Sequence, residues 1–181
     1  MLVKNMIKIQ FVKTHPNAQL PKRNTASVSS INVTGDTGYD IFAVEDTLIP
    51  ASHLTTKVES GAIPMEDADF ECTEKIKIGS AIVPVGLKIA FIEPGWWFKI
   101  EARSGMGFKH GIQPHFGIID NLYRGSLDTK LYNLTDKDYQ VKAGDRIAQI
   151  VFYPIIEAKI EFVDKVVESI RGEKGFGSSG K

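Results

Sequence analysis

The chain has 181 residues, 22 Lys+Arg against 22 Asp+Glu, and 43% hydrophobic content. That length suits one domain with a core large enough to fold unaided, and the composition excludes collagen, coiled coil and disorder. Zero net charge removes the electrostatic case for a broad nucleic-acid-binding face.

In chain order, the start (residues 1–13, MLVKNMIKIQFVK) has no apolar core of secretory length, and residues 6–12 alternate like a strand. A turn at Thr34-Gly35-Asp36 leads into Gly38-Tyr39-Asp40-Ile41. Residues 51–80 lose the alternation and hold six acids between Glu59 and Glu74, which reads as a solvated excursion or extra hairpin. The single cysteine, Cys72, falls here; it excludes an internal disulfide and a multi-cysteine zinc site. Alternation returns at 85–92 and 96–102, separated by the turn Glu93-Pro94-Gly95. The sequence leaves room for at most one short helix, after Ser104. Further strands are predicted at 126–134, 146–155 and 159–166, with a turn at Ala143-Gly144-Asp145.

Many short period-two segments with turn residues between them predict an all-β, jelly-roll-like β-barrel over residues 1–170. The tail, 171–181 (RGEKGFGSSGK), cannot contribute a core and is expected to be flexible. No stretch approaches the roughly 18 apolar residues of a membrane span. The expectation is a soluble cytoplasmic protein without a membrane or nucleic-acid partner.

The tail carries two misleading patterns. Gly175-Phe176-Gly177-Ser178-Ser179-Gly180 fits G-x-G-x-x-G, and Gly175 to Lys181 fits most of a P-loop. Both motifs place phosphate at the N-terminus of a following helix, and none is expected after Lys181. Free N–H groups in a glycine-rich stretch still wrap phosphate oxygens.

Five polar and glycine clusters stand out on the β pattern: Gly38 to Ile41, Glu101 to Gly105, Gly117 to Gly125, Gly144 to Gln149, and the tail. Singly, each has a plain reading. Asp40 and Asp120 suit turns, Arg103-Ser104-Gly105 an ordinary loop, and Gln149 a strand amide satisfying backbone groups. In this order, the five resemble the five motifs of the homotrimeric dUTP pyrophosphatases (dUTPases). The resemblance runs from about residue 36 to the end. The departures are Ala102 before the arginine, Met106-Gly107 after the motif, Asn121-Leu122 after Asp120, Lys174 in the tail, and the long 51–80 stretch.

The resemblance implies hydrolysis of dUTP to dUMP and pyrophosphate, limiting uracil in DNA and supplying dUMP. It implies Asp120 as the base for water. Arg103, Ser104, Gly105, Gln149 and Arg171 are expected to bind phosphates, guanidinium forks and close backbone approach being suited to them. Uracil is expected along the hairpin of His115, Gly117, Ile118 and Ile119, with Tyr123 against the deoxyribose. Phe176, with Gly177 and Ser178, is expected to close as a lid. Asp40 is a supporting residue, binding a water or orienting Arg171. Mg²⁺ is implied, held by the triphosphate and waters and by no residue directly. The family resemblance also implies a homotrimer with sites shared between subunits. Two other readings remain: a dCTP deaminase or bifunctional relative on the same fold, and a nucleotide-sensing binding module that uses 51–80 as its contact surface.

Overall fold

The structure, a computed structural model, describes residues 6–23, 35–56 and 74–167. Its elements are β1 (Ile9–Lys13), β2 (Tyr39–Phe42), β3 (Thr47–Ile49), β4 (His53–Thr56), β5 (Glu74–Lys77), β6 (Gly79–Val83), β7 (Leu87–Ile92), β8 (Trp96–Glu101), α1 (Ser104–His110), β9 (Ile112–Pro114), β10 (Gly117–Ile119), β11 (Thr129–Asn133), β12 (Tyr139–Val141) and β13 (Arg146–Pro154). The expected all-β architecture is present, with one short helix beginning at Ser104. Cys72, most of the acidic stretch and the tail residues Arg171, Phe176, Gly177 and Ser178 lie outside the described residues.

All strand pairs are antiparallel. The largest sheet runs β10-β8-β13-β2, a second runs β6-β11-β9, and three two-stranded ribbons, β1-β7, β12-β3 and β4-β5, complete the set. Alternation selects the buried face. In β7, Leu87 and Ile89 point inward while Lys88 and Ala90 are exposed; in β11, Thr129, Leu131 and Asn133 are buried. These faces meet Ile41, Ile49, Val83, Phe98, Ile100, Ile147 and Ile150 in one core. Asn133, fully buried, has its polar atoms matched. Its amide donates to the Ile49 and Lys137 carbonyls, and its Oδ1 accepts from the Thr135 N–H and hydroxyl.

The short helix has identifiable ends. Gly111 follows it at φ 64° and donates its N–H back to Gly107, a left-handed glycine stop. Lys109 and His110 occupy the last turn, where positive charge suits the helix dipole. Met106 alone is buried, so one side chain anchors the helix and leaves Ser104 and Gly105 outward.

One expectation changes. The strand predicted at 159–166 is not a strand. Residues 155–167 run outside any sheet, with Ile160, Phe162 and Val163 at 93%, 106% and 71% exposure. Alternation supplies a face, but a strand also needs a ladder partner, and this chain offers none there among the described residues. Residues 51–80 contain a paired hairpin base: β4 and β5 match from His53↔Lys77 to Thr56↔Glu74.

Phe98, the largest of the fully buried side chains, sits mid-way along β8. Phe98→Ala is expected to cost about 3–5 kcal/mol, read as a lower urea midpoint with an unchanged slope. Asp46 ties two turns together by accepting from Lys142 Nζ at 2.8 Å and the Ala143 N–H at 2.9 Å. The Lys142 hydrogen bond, followed by the Ala143 N–H, lowers its carboxyl below the ordinary 3.8. A depressed folded-state value contributes stability above the ordinary value, lost as pH falls through the depressed one. Asp46→Asn is therefore expected to melt below wild type at neutral pH. The gap should close as pH falls below 3.8, as followed by melting temperature against pH.

Candidate active site

Register assembles the first half of the site. Gln149 on β13 pairs with Asp40 on β2 and with Glu101 on β8, so one cross-strand row holds all three. Two residues beyond Glu101, Arg103 turns back over this row. Its Nε donates to Asp40 Oδ1 at 2.7 Å and its Nη1 to the Arg146 carbonyl at 3.1 Å. Arg146 Nη1 donates to the other Asp40 oxygen at 3.2 Å. One carboxylate thus orients two guanidinium groups. The Asp40 backbone is pinned in turn: its N–H donates to the Lys22 carbonyl at 2.8 Å, and its carbonyl accepts from the Lys22 N–H at 3.0 Å.

Beside this cluster, Gln149 Nε2 donates to the Ala102 carbonyl at 2.9 Å. Its amide lies against Gly38 so closely that a Cβ there would overlap it. Ser104 and Gly105 open α1, and the first N–H groups of a helix have no intrahelical acceptor. A Cβ at Gly105 would meet nothing among the described residues, so its bareness serves no packing among them. Together these residues line an open cleft of about 450 Å³. Two guanidinium forks, a hydroxyl and unengaged N–H groups are the donor set a polyphosphate takes.

A second cluster forms around Asp120. Strand β10 pairs with β8 from Gly117↔Ile100 to Ile119↔Phe98, and Asp120 follows, exposed, in a turn closed by the Tyr123 N–H on its carbonyl at 3.0 Å. Asn121 fastens this turn: its amide donates to the Ile92, Glu93 and Trp96 carbonyls at 3.2, 2.8 and 3.0 Å. Tyr123 bends over Gly125, where a Cβ would overlap the ring, and its hydroxyl donates to the Ser126 carbonyl at 2.8 Å. Nearby, the His115 N–H is taken by the Lys130 carbonyl at 2.8 Å, and its Nδ1 lies 3.2 Å from the Tyr132 hydroxyl. Ile118 is 62% exposed on β10, a large apolar side chain facing out.

The two clusters do not meet within one chain. Asp120 follows the Phe98 pairing, towards the start of β8, whereas Arg103 lies past its end. From Trp97 to Glu101 alone is about 13 Å of strand at about 3.3 Å per residue. Structure therefore brings Asp40, Arg103, Ser104, Gly105 and Gln149 together, and gathers His115, Gly117, Ile118, Ile119, Asp120 and Tyr123 elsewhere.

The sequence reading gives Asp40 to Arg171 or a water; Arg171 lies outside the described residues, and among those described the Asp40 oxygens accept from Arg103 and Arg146. Arg146 has no place in the site as read from sequence. The signal available is its position in the Gly144 to Gln149 cluster, but period-two alternation would put it on the face opposite Gln149.

The antiparallel strands form a jelly-roll-like barrel with an arginine-lined cleft at one end of its main sheet. The dUTPase family model matches residues 68–180. The deoxyuridine 5'-triphosphate nucleotidohydrolase of Paramecium bursaria Chlorella virus 1 is 35% identical over 146 residues, 81% of this chain and 84% of that protein. That of the gamma-proteobacterium EBAC31A08 is 44% identical over 103 residues, 56% of this chain and 74% of its own. In fold, the dUTPase of Staphylococcus bacteriophage 80alpha, solved with dUpNHpp, is similar at TM-score 0.67 and 23% identity, covering 96% of this chain and 99% of that one. The chain belongs to the dUTPase family.

Gly38→Ala tests how the cleft is built. The added methyl group must displace the Gln149 amide from the Ala102 carbonyl. The expected result is weaker binding of inorganic triphosphate by calorimetry with the circular dichroism spectrum unchanged; wild-type affinity would show that this packing does not set the cleft.

Proposed function

We propose that the chain is a dUTP diphosphatase that hydrolyses dUTP to dUMP and pyrophosphate. The observation that carries this reading is the Arg103-Ser104-Gly105 cleft, oriented by Asp40, in a chain of the dUTPase family. Arg103, Ser104, Gly105 and Gln149 take the phosphate chain, guanidinium and N–H donors stabilising charge as it builds on the phosphoryl oxygens. Asp120 takes a proton from a water whose oxygen bonds the α-phosphorus; the bond from that phosphorus to the bridging oxygen breaks, and pyrophosphate leaves with the electron pair. The carboxylate is exposed on a turn fixed by Asn121, which suits a base that must hold one position.

The separation of Asp120 from Arg103 supports a site shared between chains, and hence the homotrimer. Residues 155–167 favour the same reading, since they expose apolar side chains without a ladder partner among the described residues of their own chain. Uracil would lie along Gly117 to Ile119 and His115, with the Tyr123 ring against deoxyribose, leaving no room for a 2′-hydroxyl. Arg171, Phe176, Gly177 and Ser178 would close over the bound nucleotide.

The residues present fit Mg²⁺ carried on the substrate. Among the described residues, no group of three or more metal-ligating side chains forms a cage, and both Asp40 oxygens already accept from guanidinium groups. Bound this way, through triphosphate oxygens and waters, the ion would neutralise phosphate charge. The reaction fits a role in limiting uracil in DNA and supplying dUMP.

The test is pyrophosphate release from dUTP, dCTP, dTTP and UTP with Mg²⁺, by wild type and Asp120→Asn. Expected is turnover of dUTP alone, falling by about 10²–10⁴ in the variant while dUTP binding persists. A folded wild type that leaves dUTP intact would overturn the reading. Ammonia from dCTP would favour the deaminase instead.

A further inference from the structure

The stretch proposed to receive uracil includes a crossing between sheets. Strand β9 belongs to the sheet β6-β11-β9 and β10 to the sheet β10-β8-β13-β2, so His115 and Phe116 alone carry the chain from one to the other. Neither is held by burial: His115 is exposed, and Phe116 is 60% exposed. A segment without buried side chains opens easily unless polar contacts hold it.

Those contacts come from one strand. The His115 N–H donates to the Lys130 carbonyl at 2.8 Å, one step past the Leu131↔Pro114 pair, and its Nδ1 lies 3.2 Å from the Tyr132 hydroxyl. The two rings meet edge to face, with centroids 6.0 Å apart, and Lys130 Nζ stands 5.1 Å from the centroid of the same phenol ring. Strand β11 is central in its sheet, pairing Tyr132 with Ser80 on one side and Gln113 on the other. The hydroxyl is thus fixed by a two-sided ladder, and the imidazole it holds stands on the crossing. Tyr132 does not line the Arg103 cleft.

The chemistry makes this contact selective. A neutral imidazole donates from one ring nitrogen and accepts at the other. With Nδ1 engaged by Tyr132, Nε2 is the nitrogen left for a ligand, and the partner of one nitrogen sets the role of the other. Uracil and cytosine differ along one edge: N3–H and a carbonyl in uracil, a bare N3 and an amino group in cytosine. A ring free to turn offers either nitrogen to either base; a ring held at Nδ1 does not.

We infer that Tyr132 is a positioning residue for base selection: through Nδ1 of His115, it fixes the crossing and the imidazole beside which uracil lies. The inference rests on the reading that uracil lies along this segment.

The test separates base selection from phosphate binding and from folding. dUTP, dCTP and inorganic triphosphate are titrated calorimetrically into full-length Asp120→Asn, which slows turnover, and into the same protein carrying Tyr132→Phe, His115→Ala or both. Each is checked by thermal melting. Expected for Tyr132→Phe is dUTP binding weakened about three- to tenfold, dCTP binding changed less, and triphosphate binding unchanged. Added to His115→Ala, it should cause no further loss. Unchanged dUTP affinity, an equal loss for dCTP or triphosphate, a loss that persists without His115, no dUTP binding, or a phenylalanine variant that does not fold would overturn the inference. A Tyr132-dependent preference for dUTP over dCTP in a protein whose wild type leaves dUTP intact would instead overturn the hydrolysis and leave this inference standing.

Discussion

Strand β8 is six residues long and paired on both edges, with β10 on one side and β13 on the other. Its rigidity sets the distance between the Arg103 cluster and the Asp120 turn. The β13 pairing places the row of Asp40, Gln149 and Glu101 at its far end, and the β10 pairing places Asp120 near its start. An extended strand cannot shorten, so no loop movement within the chain brings Asp120 onto Arg103. The burial of Phe98 and Ile100 beneath the pairing keeps this ruler straight.

At the Arg103 end, the organising feature is one carboxylate between two guanidinium groups. Asp40 and Arg103 are mostly buried, where desolvation offsets much of a pair's attraction, so the value of Asp40 lies in direction rather than stability. It fixes where Arg103 points before any ligand arrives, which lowers the ordering cost of binding. Neighbouring packing follows the same logic: Gly38 makes room for the Gln149 amide, and Gly125 for the Tyr123 ring. In both places a glycine is absent volume that lets a longer polar side chain lie flat.

Much of this was legible in the sequence because alternation and turn residues are local signals. The strands at 85–92 and 96–102 follow from period and breakers alone, the sequence left room for one short helix after Ser104, and the five ordered clusters carried the family resemblance. What was not legible depended on partners distant in sequence. Residues 159–166 have the pattern of a strand, yet pattern cannot reveal whether an edge exists to receive it. Arg146 was missed because the register of β13 against β2 shifts between Arg146 and Ala148; such a bulge is a property of two paired strands, so alternation along one of them gives the wrong face. Asn121 looked like a departure from the family pattern, whereas its amide gathers three carbonyls of another turn. The pairing of Asp40 with two arginines likewise requires β2, β8 and β13 to be side by side.

The mutual hydrogen bonds between Lys22 and Asp40 also bear on where the working unit begins. The family model is matched from residue 68 onward, a boundary that keeps Arg103, Asp120 and Gln149. Strand β2 and the segment carrying Lys22 lie before that boundary, as does β1, which shields one edge of β7. A chain trimmed to its most recognisable stretch would keep the conspicuous chemistry and lose the carboxylate that aims it. Modularity in this fold is therefore drawn by hydrogen bonding across the barrel, and the segment ahead of the matched stretch belongs to the same folded unit.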